Sequence, residues 1–205
     1  MRKALNRTSP ALANPARDPT RVPPHQIVTD KFPVMTVAGT PDVPLGEWRL
    51  RLVGLVEQEA ELDWEALSAL PQRHETRDFH CVTQWSKFDV EWGGVRASDV
   101  FAVCSPKPEA THVMLHCYDG YTTNVDLERL RADDVLFAHT LAGAPLDRDH
   151  GGPVRLVVPS VYGWKSAKWV GAVEFMAGDR PGFWEQRGYH MRGDYWKEER
   201  FGSPF

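Results

Sequence analysis

The stretch "ATHVMLHCYDGYTTNVDL", residues 110–127, decides the fold class. Large and β-branched residues fill both halves, and Asp119-Gly120 stands between them, which reads as two strands around a hairpin turn. A strand here also settles what the histidines of "HVMLH" at 112–116 can do. On a helix, i and i+4 side chains share one face and can share an ion. On a strand they stand roughly 13 Å apart along the sheet, so this pair is not expected to form a metal site.

The neighbouring segments extend the same pattern. "EWRLRLVGLV" (47–56) alternates large and charged residues, as a strand with one buried face does. "DWEALSAL" (63–70) reads as a short helix with Asp63 as N-cap and Pro71 as its stop, and "SDVFAVC" (98–104) as another, capped by Ser98. "ETRDFHCVTQW" (75–85) is a strand running into a loop, while "DVLFAHTLAGAPL" (134–146), "PVRLVVP" (153–159) and "AKWVGAVEFM" (167–176) give further strands. Nothing alternates in the βαβ manner, so the expected architecture is α+β: β-rich, mixed-sheet, with short helices.

With 205 residues, 42% of them hydrophobic, the chain can bury one proper core. A Pro-rich, extended N-terminal arm over residues 1–30 precedes a domain spanning 31–205. A net charge of −4, from 28 acids against 24 Lys and Arg, offers no electrostatic footprint for nucleic acid. The apolar runs, such as "VFAVC" at 100–104, are too short to span a membrane. The N-terminus develops no apolar signal region and carries no twin-arginine pair. Cys81, Cys104 and Cys117 form no CxxC pair, which suits reduced thiols and a cytoplasmic location.

Two segments concentrate chemistry. In "DFHCVTQWS" (78–86), His80 stands beside Cys81 as a ready base for a nucleophilic thiol. In an extended segment, however, adjacent side chains point to opposite faces, which leaves a distant partner such as His116 or His150 open. The second segment, "HGGPVRLVVPSVYGWKSAKWV" (150–170), gathers Arg155, Lys165, Ser166 and Lys168 among glycines and aromatics. That composition suits an anion pocket, and a solvated turn after a buried strand explains it equally. "GWKSAKW" is not a Walker loop.

Together the two segments resemble the sulfite oxidase superfamily of molybdopterin-dependent oxidoreductases, from about Lys31 onward. In that family one cysteine thiolate ligates molybdenum, and "HCVTQWS" is similar to the segment that carries it, with Cys81 as the ligand. "HGGPVRL...YGWKSAK" resembles the family's molybdopterin-binding "NGAPVRL...YGFKGIK". The resemblance implies that His150 and Arg155 grip the pterin edge. It also implies that Ser166, Ala167 and Lys168 form the phosphate-binding turn, with Lys165 as an added charge. "DKFPVMTVAGTP" resembles the segment that packs on the cofactor, which brings in Phe32 and Pro33. "DGYTTNV" is similar to the family's "DGY" hairpin. A soft thiolate suits the metal, and Lys with backbone N–H groups suits a terminal phosphate.

The same resemblance bears on substrate and partner. True sulfite oxidases follow the cysteine with a "CAGNRR" type of run, whereas this chain has "CVTQWS" and no arginine there. The form is nearer the "CVEAWS" of the bacterial molybdenum methionine sulfoxide reductase, which implies Trp85 beside a small, uncharged substrate. Cys117 aligns with that enzyme's threonine beside the pterin. That departure, with the lack of a twin-arginine signal, leaves the methionine sulfoxide activity untransferred. The haem domain of animal sulfite oxidases has no counterpart here, so a separate electron-transfer partner is implied. Three readings stand at this point: a molybdenum-molybdopterin oxidoreductase performing two-electron oxygen-atom transfer, a metal-free Cys-His enzyme, and a cofactor-binding module without activity.

Overall fold

The structure is a computed structural model that describes residues 18–202; residues 1–17 of the N-terminal arm lie outside them. In chain order the strands are β1 (Ile27–Val28), β2 (Leu50–Gly54), β3 (Ala60–Leu62), β4 (Gln72–Cys81), β5 (Trp85–Arg96), β6 (His112–Cys117), β7 (Thr122–Asp126), β8 (Leu136–Leu141), β9 (Ala144–Pro145), β10 (Arg155–Val157) and β11 (Val170–Met176). The helices are α1 (Trp64–Ala69), α2 (Ala97–Ala102) and α3 (Leu127–Leu130).

The strands form two mixed sheets. One runs β3-β2-β11-β6-β7, with only the β2/β11 pair parallel. The hairpin read from residues 110–127 is β6 and β7 here. Gly120 takes φ +80° and donates its N–H to the Cys117 carbonyl, while the Asp119 carboxylate accepts from the Tyr121 N–H. In the other sheet β5 is the organiser: β4 takes one edge along its length, whereas β1 and β8 share the opposite edge at its two ends. The arm therefore joins the sheet at Ile27–Val28 in parallel with Trp85 and Ser86.

Strand alternation gives this second sheet two buried faces. Val95, Phe137 and Leu156 face the main core with Leu50, Leu52, Leu115 and Phe175 of the first sheet, whereas Leu136, Ala138 and Val157 join Phe79, Val90 and Trp92 in a smaller cluster. Each fully buried side chain of this kind contributes about 1.5–3 kcal/mol. The smaller cluster matters for function, because its face also carries the site.

Local signals act as the sequence predicts at α1. Asp63 Oδ1 accepts from the Ala66 N–H at 2.8 Å, and Leu70, held extended before Pro71, ends the helix. At α2 the reading is corrected. The helix starts at Ala97, so Ser98 lies inside its first turn and caps nothing. The reason is tertiary: β5 runs directly into the helix, and the Ala97 N–H donates to the Val135 carbonyl of a neighbouring segment. The second half of β5 gives a weak signal, since Gly93-Gly94 has no strand propensity. Glycine is needed there because a Cβ at Gly94 would stand 2.1 Å from the Phe137 carbonyl oxygen.

Candidate active site

The β4–β5 hairpin positions the thiol. Cys81 pairs with Trp85 and His80 with Ser86 across the ladder, so Cys81 and Trp85 share one face while His80 points to the other. His80 Nδ1 lies 2.8 Å from Ser86 Oγ, and its ring lies against Tyr195 with centroids 4.2 Å apart. Burial pushes the His80 pKa down to about 4, which keeps it neutral. The adjacent-base reading fails on this geometry.

Cys81 is buried and its Sγ lies 3.1 Å from Thr83 Oγ1. Burial raises the thiol pKa, against hydrogen bonds from Thr83 and the charge of Arg200, which pull it down. The Cys81 carbonyl accepts from Gln26 Nε2 at 3.1 Å and from the Gln84 N–H at 3.0 Å. The thiol therefore sits on a backbone fixed from two sides.

The facing wall comes from residues 150–169. Arg155 shares the face of Val157 on β10, and its guanidinium lies 5.5 Å from the Phe79 ring and 5.1 Å from the Trp92 ring. It donates to the His150 carbonyl at 2.8 Å and the Ser166 carbonyl at 2.9 Å, and no carboxylate among the described residues pairs with it directly. Burial pulls its pKa down to about 9. Lys168 Nζ donates to the Asp149 carbonyl at 2.7 Å and lies 4.3 Å from the Trp169 ring. Burial, then the charge of Arg155, push its pKa down to about 8. Gly151, at φ +113°, lets the loop pass over both cations; a Cβ there would come within 3.0 Å of the Arg155 and Lys168 side chains.

A third wall is the segment after β1. Phe32 packs edge-on against Phe79, Trp85 and Trp92, with centroids 5.2, 5.8 and 5.9 Å away, and tilts against His150 at 4.8 Å. His150 is held between two acceptors: Nδ1 lies 2.8 Å from an Asp147 carboxylate oxygen and Nε2 lies 3.1 Å from the Phe32 carbonyl.

One pocket is thus lined by Phe32, Pro33, Cys81, Trp85, His150 and Arg155, together with Ser166, Ala167 and Lys168. These residues come from three separate segments, at 32–33, 81–85 and 150–168. Two expected members stand elsewhere. Lys165 does not point into the pocket: its Nζ is 2.6 Å from Glu185 Oε1 and donates to the Asn124 carbonyl and Oδ1 at 2.9 and 2.8 Å. The 3-10 turn at Gly163–Lys165 aims it into the core, while Ser166 Oγ turns back to accept from the Val158 N–H. Cys117, at the end of β6, packs on the main core outside the lining, where burial raises its thiol well above the ordinary value. The lining also includes Asp119 and Tyr121 of the hairpin, Trp164, and Trp184 and Tyr189 of the C-terminal segment. The aromatic-rich composition of 182–196 is the only sequence signal for the last two.

The family profile described as "Oxidoreductase molybdopterin binding domain" matches residues 37–184, most of the chain. The chain belongs to the sulfite oxidase superfamily of molybdopterin oxidoreductases. With that membership the enzyme class and the molybdenum-molybdopterin cofactor follow. The chain is 45% identical over 185 residues to "Uncharacterized oxidoreductase YuiH" of Bacillus subtilis, covering 88% of this chain and 92% of that protein. It is 29% identical over 182 residues to the sulfite oxidase of Arabidopsis thaliana, covering 72% of this chain and 46% of that one. To the catalytic subunit MsrP, a protein-methionine-sulfoxide reductase of Gluconobacter oxydans, it is 29% identical over 157 residues, covering 68% of this chain and 50% of that one. The chain thus spans nearly all of the first relative and about half of the other two. In fold, the superfamily domain matches the sulfane dehydrogenase SoxCD of Paracoccus pantotrophus with a TM-score of 0.64 and 24% identity, over 73% of this chain and 42% of that one. No helix among the described residues is long and apolar enough to cross a membrane.

Proposed function

We propose that this molybdopterin oxidoreductase uses Cys81 as its metal ligand and acts on a small, uncharged substrate. The observation that carries the reading is the convergence of a soft thiol on one wall of the pocket with two cations, Arg155 and Lys168, on another. The donor set fits the group. Cys81 is the thiolate a soft metal takes, and Lys168 suits the terminal phosphate as a point charge. Arg155, whose partners are carbonyls, has charge to spare for the pterin edge beside His150.

When bound, the cofactor supplies two-electron oxygen-atom transfer. The chain's own part is to hold and shield. Phe32 and Pro33 cover one side of the pocket, Ser166 and Ala167 line it at the phosphate turn, and Trp85 forms an apolar wall opposite Cys81 in the ladder. With both pocket cations assigned to the cofactor, the run Val82-Thr83-Gln84-Trp85 offers a substrate no charge of its own. This favours a neutral acceptor or donor of oxygen. Electrons pass to or from a separate protein, and the three unpaired thiols suit the reducing cytoplasm.

Elemental analysis tests the reading. Protein made in a host with an intact cofactor supply should hold close to one molybdenum per chain, and Cys81→Ser should lose redox activity together with the thiolate-to-metal absorption. Molybdenum at background in the wild type, with no pterin released on denaturation, overturns it.

A further inference from the structure

Both terminal segments converge on the two peptide units that follow Cys81, those of the Cys81 and Val82 carbonyls. From the N-terminal side, Gln26 Nε2 donates to the Cys81 carbonyl at 3.1 Å, while its Oε1 accepts from Ser86 Oγ at 3.3 Å. The Ile27 N–H donates to the Gln84 carbonyl at 2.9 Å, which ties the loop after Cys81 to β1. From the C-terminal side, Arg200 Nη1 donates to the Val82 carbonyl at 2.8 Å. Arg200 lies 118 positions from Val82, and its own backbone is fastened by the His190 N–H, which donates to the Arg200 carbonyl.

Arg200 is more than a tether. Its Nη2 is buried and has no hydrogen-bond partner among the described residues; the nearest carboxylate oxygen, of Glu198, stands 4.0 Å off and is also 2.6 Å from His25 Nδ1. The guanidinium lies 5.5 Å from the Tyr162 ring centre. The Tyr162 hydroxyl stands near both Gln26 and Arg200, yet it too is buried and has no partner in hydrogen-bond geometry among the described residues. A buried donor left unmet on a cation is costly unless something offsets it, and the anionic sulfur of a metal-bound Cys81, one residue before the carbonyl that Arg200 holds, would do so.

We propose that Arg200 is a positioning residue for the reaction. It fixes the Val82 carbonyl and sets a permanent positive charge beside the sulfur of Cys81, with Gln26 as the neutral partner that fixes the Cys81 carbonyl. This rests on Cys81 being the metal ligand. Charge and hydrogen bonds around a ligating sulfur set the electron density at the metal. A fixed cation favours the more electron-rich, reduced state, so it raises the midpoint potential of the bound cofactor. The arginine missing from the run after Cys81 is thus supplied from the far end of the chain, directed at the ligand rather than at a substrate anion.

Two measurements test this. In the holoenzyme, Arg200→Met should shift the midpoint potential of the cofactor to a more negative value by spectroelectrochemistry, and Arg200→Lys should bring it back toward wild type. A loaded Arg200→Met enzyme with the wild-type potential overturns the proposal. The second measurement does not depend on loading. In cofactor-free protein, Cys81 is alkylated with iodoacetate and with iodoacetamide and the products are quantified by mass spectrometry. Both reagents need the thiolate, so their rate ratio reports the local charge and not the thiolate fraction. Arg200→Met should lower the ratio about threefold or more, the effect of one unit charge at close range in a partly buried site. Arg200→Lys should retain it. An unchanged ratio in Arg200→Met also overturns the proposal. A Cys81→Ser holoenzyme with full molybdenum and an unaltered absorption spectrum would instead overturn the ligand reading, leaving the ratio to stand as a measure of charge alone.

Discussion

Lys165→Met separates two roles for a lysine that sits in the phosphate-binding stretch by sequence and in the core by structure. The side chains of Lys165 and Glu185 are 1% and 0% exposed, and they meet at 2.6 Å. Glu185 Oε1 also accepts from Trp164 Nε1 at 2.8 Å and from Thr123 Oγ1 at 3.2 Å, while its Oε2 has no partner among the described residues. Burial pushes the Lys165 pKa down, and Glu185 opposes it. Removing the ammonium therefore leaves a carboxylate buried without its counter-charge, which costs about 3–5 kcal/mol. In a domain of this size each kcal/mol shifts Tm by about 2–4 °C, so Lys165→Met should melt roughly 6–20 °C below wild type. Thermal unfolding followed by circular dichroism, on cofactor-free protein so that ligand linkage does not enter, gives the number. A Lys165→Met, Glu185→Gln double variant should recover much of the loss, because no unpaired charge remains. An unchanged Tm in Lys165→Met, with cofactor retention falling instead, would refute the core assignment and return Lys165 to the phosphate.

Three further outcomes follow from the site and its frame. Lys168→Ala should weaken cofactor retention, and the difference from wild type should shrink at high salt; with the Lys168 pKa at about 8, affinity of cofactor-free wild type for pyrophosphate should fall as pH rises from 7 to 9, because the ammonium that attracts the anion is lost in that direction. Calorimetric titration across that range reads it, and a flat profile would remove Lys168 from the anion site. Gly151→Ala forces an L side chain into φ +113° and against both cations, which should cost about 1–3 kcal/mol and lower pterin content after gel filtration. Asp63→Ala removes only the α1 cap, so it should lower stability by about 1 kcal/mol in chemical unfolding and leave molybdenum content at the wild-type level.

The tests divide as the information in the chain divides. Hairpin chemistry at Asp119-Gly120, the cap at Asp63 and the stop at Pro71 are local, acting within a few residues through backbone conformation, and each stands in the structure as the pattern predicts. Ser98 misleads because the first donor of α2 is met by Val135, a partner no local pattern contains. Likewise Gly93-Gly94 has no strand propensity, yet close approach to Phe137 and Thr140 requires glycine at both positions within β5.

For the site, local pattern is enough to show which residue types are present, a lone thiol in one segment and a cluster of cations in another, and strand alternation alone turns His80 away from Cys81. Which of them meet is set by the packing of distant segments. Lys165 and Lys168 are three positions apart in one turn, yet one enters the core to face Glu185 and the other lines the pocket. Arg200 reaches the Cys81 loop across 118 positions. Periodicity fixes the face of an element on which a side chain lies, but the partner on that face is set by sheet register and by how distant segments pack, and no spacing within one segment carries that.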